Sequence, residues 1–92
     1  MIKKVIDEFT VLNQKGLHSR PSAEIVKCTS SFQSRITLQL NGHSVNAKSI
    51  LDILTLMAPC GAKVTIEAEG ADAQEAVGSL IALAKDQFCV RY

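Results

Sequence analysis

The stretch Gly16-Leu17-His18-Ser19-Arg20-Pro21 gathers a nucleophile, a fixed positive charge and helix-start residues within six positions. A helix is expected to begin directly after His18, because Pro21 suits a first helical turn and Ser19 is a good N-cap type. An imidazole at that place faces unpaired backbone N–H groups and the positive end of the helix dipole, where phosphate groups bind well. Arg20 adds forked donors matched to phosphate oxygens. Gly16 lets the preceding backbone enter a positive-φ conformation. Neutral imidazole is nucleophilic near pH 7 without a separate base. An ordinary loop histidine is the default for any single His, but the adjoining residues turn this one toward accepting and donating a phosphoryl group. Ser19 is read as a cap rather than a modification site.

A second candidate is Ser49, an N-cap type at the start of a short apolar segment. A phosphate there would meet helix N–H groups and Lys48. The Lys48-Ser49 pair lacks the preceding glycines of a nucleotide-binding loop. Ile50, Leu51, Leu54 and Met57 read first as core. A short helix cannot bury them all, so one side should stay exposed as a docking surface beside the reactive histidine. His43 reads as an exposed hairpin residue without chemistry.

The elements that must position these groups follow from periodicity. A first strand is expected over Val5 to Leu12, with Phe9 and Val11 inward. A helix over Ser19 to Ser30 has Ser22, Ile25, Val26 and Thr29 as its inner stripe. Ile36, Leu38 and Leu40 alternate with polar residues as a strand, and Asn41-Gly42 signals a hairpin into a return strand through His43 to Asn46. A short helix carries Ile50 to Leu56 and is stopped by Pro59 and Gly61. Val64, Ile66 and Ala68 mark a fourth strand. The last helix opens with Asp72 and Glu75 as a capping box and carries Ala73, Ala76, Val77, Leu80, Ile81, Ala84 and Phe88 on one face. The order β-α-β-β-α-β-α predicts an α+β fold with a four-stranded antiparallel sheet and its helices on one face.

At 92 residues the chain is expected to form a single domain spanning 1–92. A net charge of +1 gives no general drive toward nucleic acid or membrane. The opening residues lack the pattern of a signal peptide and no run is long enough to span a bilayer, so a cytoplasmic location is expected. Cys28, Cys60 and Cys89 are odd in number and widely spaced, which fits free thiols, and no ligand spacing points to a metal.

Three segments together resemble the HPr family, the histidine-containing phosphocarriers of the bacterial sugar phosphotransferase system. They are Gly16-Leu17-His18-x-Arg20-Pro21, Ala47-Lys48-Ser49-Ile50-Leu51 and Val64-Thr65-Ile66-x-Ala68-Glu69-Gly70, in order and at the right spacing between about Phe9 and Phe88. The resemblance implies an open-faced β-sandwich and a covalent carrier rather than an enzyme, with no cofactor. It implies phosphorylation of His18 on Nδ1 by Enzyme I, with Arg20 stabilising the phosphate, and transfer to the A component of Enzyme II. It also implies docking through the first two helices, with Ser19, Lys48, Ile50, Leu51 and Leu54 at the contact, and regulatory phosphorylation of Ser49 by an HPr serine kinase/phosphorylase. A monomer is expected. Met57 stands where relatives usually have a glycine ending the second helix, and Lys15 where some carry a small polar residue. Two alternatives stay open: a regulatory relay without sugar transport, and a small ligand- or RNA-binding α+β module. The second is weakened by the few aromatic residues, Phe9, Phe32, Phe88 and Tyr92.

Overall fold

Side chains alternate cleanly along the strands, and the fold follows from that alternation. In the computed structural model, which describes residues 3–92, the elements are β1 (Lys4–Thr10), α1 (Ser19–Thr29), β2 (Arg35–Leu40), β3 (His43–Asn46), α2 (Ile50–Leu54), β4 (Lys63–Glu69) and α3 (Ala73–Lys85). A tight turn at Gln87–Cys89 follows. The strands form one antiparallel sheet in the order β1-β4-β2-β3. Phe9 lies opposite Val64, Ile66 opposite Leu38, Leu38 opposite Val45, and Ala68 opposite Ile36. Every one of these is buried. Each large aliphatic or aromatic among them contributes about 1.5–3 kcal/mol on full burial. On the other face Ile6, Glu8 and Gln39 are exposed, which is the open side of an α+β open-faced sandwich. Asn41 and Gly42, at φ 53° and 82°, make the hairpin turn expected between β2 and β3.

Helix α1 buries Ser22, Ile25 and Thr29 and half-buries Val26, as its periodicity requires. Its cap differs from expectation. His18, not Ser19, is the N-cap residue, and its side chain makes no cap bond. Ser19 is the first helical residue, because the first intrahelical bond runs from the Ser22 N–H to the His18 carbonyl at 3.1 Å. Strand β1 also ends sooner than Leu12. Beyond Thr10 the chain leaves regular pairing, although Val11 still exchanges bonds with Gly61 and Ala62 at 2.8 and 2.9 Å.

Helix α2 stops at Leu54, well before Pro59. Thr55, Leu56 and Met57 close it with tight i→i−3 bonds of 3.0–3.2 Å, and Met57 itself takes the left-handed conformation at φ 50°. The capping box at α3 does not form. The Asp72 carboxylate turns outward and accepts from the N–H groups of Gln33 and Ser34 at 2.8 and 2.9 Å, and from the Ser34 hydroxyl. Those bonds, the Ser34 hydroxyl first, hold the Asp72 carboxyl below its ordinary range.

Phe88 is not on α3, which ends at Lys85. Gln87, Phe88 and Cys89 all have left-handed backbone, at φ 54°, 54° and 60°. Such a conformation costs about 1–2 kcal/mol per non-glycine residue. The offset is Phe88 itself, fully buried and edge-to-face on Phe9 with ring centroids 5.5 Å apart.

Candidate functional site

The loop between β1 and α1 is clamped from two sides. Buried Asn13 donates through Nδ2 to the carbonyls of Gln87 and Val90, at 3.0 and 2.8 Å. On the other side the Leu17 N–H bonds the Ala58 carbonyl at 2.9 Å. Gly16 sits between them at φ 69°, and a Cβ there would collide with the Ala58 oxygen and reach 3.0 Å from the Pro59 Cα. Only glycine satisfies both conditions. The segment after α2 is therefore a wall of the loop that carries His18.

His18 emerges half-buried at the start of α1. Its Nε2 is buried without a hydrogen-bond partner among the described residues. Pro21 has no N–H and the Ser22 N–H is committed to His18, so the first turn offers the Ser19 and Arg20 amides. No acidic side chain lies in that turn to compete for an anion. Arg20 is exposed beside it. N–H donors, a guanidinium and an imidazole are thus gathered at one helix start, a combination suited to an incoming phosphoryl group.

Tyr92 completes this cluster, and sequence reasoning passed over it except as one of few aromatics. Its ring stacks on the His18 imidazole with centroids 5.4 Å apart and 18° between planes. Its hydroxyl accepts a hydrogen bond from Arg20 Nη1. The Arg20 Cζ and Lys15 Nζ lie 5.6 and 5.1 Å from the ring centroid, and the Lys15 N–H bonds the Tyr92 carbonyl at 3.0 Å. Asn13 was missed as well. Its only signal was an amide residue directly before the active loop.

Ser49 caps α2 as expected: its Oγ accepts from the Asp52 N–H at 3.3 Å. Lys48, expected to meet a phosphate on Ser49, already has one partner. It is half-buried, and its Nζ donates to the Phe32 carbonyl at 2.7 Å. The carboxylate in this turn is Asp52, 3.3 Å from the Asn46 N–H. Leu54 is half-buried, Ile50 is 37% exposed, and Leu51 and Met57 are 76% and 83% exposed. Met57 directly precedes Ala58, whose carbonyl holds the Leu17 N–H next to His18. Ser19, the first residue of α1, is exposed.

The remaining candidates stand apart. His43 is exposed, with Nε2 3.0 Å from the Thr55 hydroxyl. Cys28, Cys60 and Cys89 are free thiols, and burial pushes the Cys28 thiol up. Among the described residues no group of His, Cys, Asp and Glu is placed to hold a metal ion, and no helix is long and apolar enough to cross a membrane.

A family model described as "PTS HPr component phosphorylation site" matches residues 5–86. The chain belongs to the HPr family. HPr proteins are phosphocarriers, not catalysts. The phosphocarrier protein HPr of Cupriavidus necator is 40% identical over 81 residues, spanning 88% of this chain and 91% of that protein. The crystal structure of HPr-C-His from Thermoanaerobacter tengcongensis superposes with a TM-score of 0.86 at 37% identity, covering 98% and 99% of the two chains. A structure described as an HPr dimer from the same organism gives 0.74 at 40% identity, covering 85% and 90%. The HPr match contains His18, Arg20 and Ser49, whereas Gln87 to Tyr92 lie beyond it.

Proposed function

We propose that His18 accepts a phosphoryl group on Nδ1 from Enzyme I, with phosphoenolpyruvate as ultimate donor, and passes it in the cytoplasm to the A component of a sugar-specific Enzyme II. The observation that supports this most is the arrangement at the start of α1. Nε2 is buried without a partner among the described residues, which leaves Nδ1 as the nitrogen to react. His18 is the N-cap of a helix whose first turn offers the Ser19 and Arg20 amides and carries the Arg20 guanidinium. With the proton on Nε2, the Nδ1 lone pair forms the N–P bond as the donor's bond to phosphorus breaks. The electron pair of that bond leaves with the donor. Onward transfer reverses the roles. Charge on the phosphoryl oxygens is held by backbone N–H groups and Arg20, which is where catalysis of such transfers resides.

Ser19, Ile50, Leu51 and Leu54, together with exposed Met57, form the partner-facing rim on this reading. Lys48, whose Nζ donates to the Phe32 carbonyl, belongs to the same partner-facing set on this reading. A serine kinase/phosphorylase acting on Ser49 would add charge in the middle of that rim. Enzyme I and phosphoenolpyruvate supplied together test the central claim. Intact mass is expected to rise by one phosphoryl group, lost in acid and stable in alkali, and His18→Ala is expected to abolish the gain. An acid-labile phosphate on His18→Ala overturns the assignment.

A further inference from the structure

We propose that Tyr92 is a positioning residue for phosphoryl transfer, its ring holding the plane of the His18 imidazole and its hydroxyl holding Arg20 beside it. This rests on His18 being the acceptor. The stack, 5.4 Å between centroids and 18° between planes, covers a face of the imidazole. The lone pair that forms the N–P bond lies in the ring plane, so a neighbour on the face restricts rotation yet leaves the line of attack open. Arg20 spends one N–H on the phenol oxygen. The rest of its fork stays free for phosphoryl oxygens, and a long exposed side chain is kept from wandering.

Tyr92 is itself placed by a built support. The Lys15 N–H bonds its carbonyl at 3.0 Å and the Lys15 ammonium lies 5.1 Å from its ring centroid. Upstream, Asn13 pins the Gln87 and Val90 carbonyls, and the three left-handed residues between Asp86 and Val90 turn the chain back toward His18. Three consecutive non-glycine residues in that conformation persist only where the surroundings over-determine them. Here the surroundings are the loop of the acceptor itself. Strain and stacking thus converge on one outcome, an aromatic ring delivered to the imidazole.

The test compares wild type, Tyr92→Phe and Tyr92→Ala as substrates of Enzyme I and phosphoenolpyruvate, with intact mass confirming one phosphoryl group on each. Tyr92→Ala is expected to lower the maximal transfer rate about 10-fold while its KM for Enzyme I changes less than about 2-fold. Tyr92→Phe keeps the stack and loses the Arg20 acceptor, so a fall of about 3-fold is expected, absent when Arg20→Ala is already in place. Ring-proton resonances of His18 are expected to move in Tyr92→Ala and to stay in Tyr92→Phe. Variants that transfer at the wild-type rate or faster, or that change KM alone, overturn the proposal while leaving His18 as acceptor. A wild-type chain that takes no phosphoryl group at His18 overturns both readings.

Discussion

At the scale of single residues, the site depends on atoms that are absent as much as on those present. Gly16 has no Cβ, which lets the Ala58 carbonyl approach and receive the Leu17 N–H. Gly16→Ala would meet that oxygen while holding φ at 69°, two penalties at one position. The variant is expected to lose about 1–3 kcal/mol in urea unfolding, in the range of strained backbone sites. Because the loop must shift to relieve the clash, phosphoryl acceptance at His18 is expected to fall further than stability alone explains. Wild-type stability and wild-type transfer in Gly16→Ala would remove the clamp from the account. The place of His18 and Arg20 at the start of α1 was legible in the sequence because it is local: one helix start, two residues apart. Tyr92 and Asn13 were not. Arg20 and Tyr92 are 72 positions apart, and Asn13 and Val90 are 77 apart, so no periodicity or cap signal links them.

At the scale of elements, helix termini decide most of what was read well and what was not. The order of strands and helices, the Asn41-Gly42 hairpin and the Ser49 cap came through because apolar alternation and turn chemistry act over a few residues. The ends of α2 and α3 did not. Pro59 and Gly61 looked like the stop for α2, yet Met57 takes the left-handed turn, and Asp72 prefers the N–H groups of Gln33 and Ser34 to its own helix. Tertiary partners overrode local signals in both places. The environment of Ser49 also changes what a charge there should do. Asp52 already supplies a carboxylate to the first turn of α2, so a second one gains little from the helix dipole. Ser49→Asp, itself a good cap type, is expected to stay within about 1 kcal/mol of wild type, whereas Ser49→Ala loses the cap at a cost of about 0.5–2 kcal/mol. Only the Asp variant is expected to bind Enzyme I more weakly, since its charge lies beside Ile50 and Leu51. Equal affinities by calorimetry for both variants would leave Ser49 as a cap alone.

At the scale of the whole molecule, one carboxylate joins the beginning of α3 to the approach to β2. Asp72 is held below its ordinary range by the Ser34 hydroxyl and the Gln33 and Ser34 amides. A lowered folded value means stability that is present above the unfolded carboxylate value of about 3.9 and is lost as pH falls through the folded value. Melting temperature is therefore expected to drop on acidification below about pH 4, and Asp72→Asn is expected to flatten that limb while lowering the neutral plateau. An unchanged acid limb in Asp72→Asn would assign the acid loss elsewhere. The sheet, with β4 between β1 and β2, makes unfolding of one part without the other unfavourable, so a single transition is expected in the same melts.

The bond from Asn13 to the Val90 carbonyl has a consequence during synthesis. A ribosome releases the histidine long before it releases the residues that brace it. Until Gln87 and Val90 have emerged, Asn13 lacks both of the carbonyls it holds. A nascent chain thus carries the His18 loop without the Asn13 clamp until those residues have been made. Long-range closure of this kind is slow relative to helix formation. A chain stopped before Gln87 carries the motif without either carbonyl that Asn13 binds.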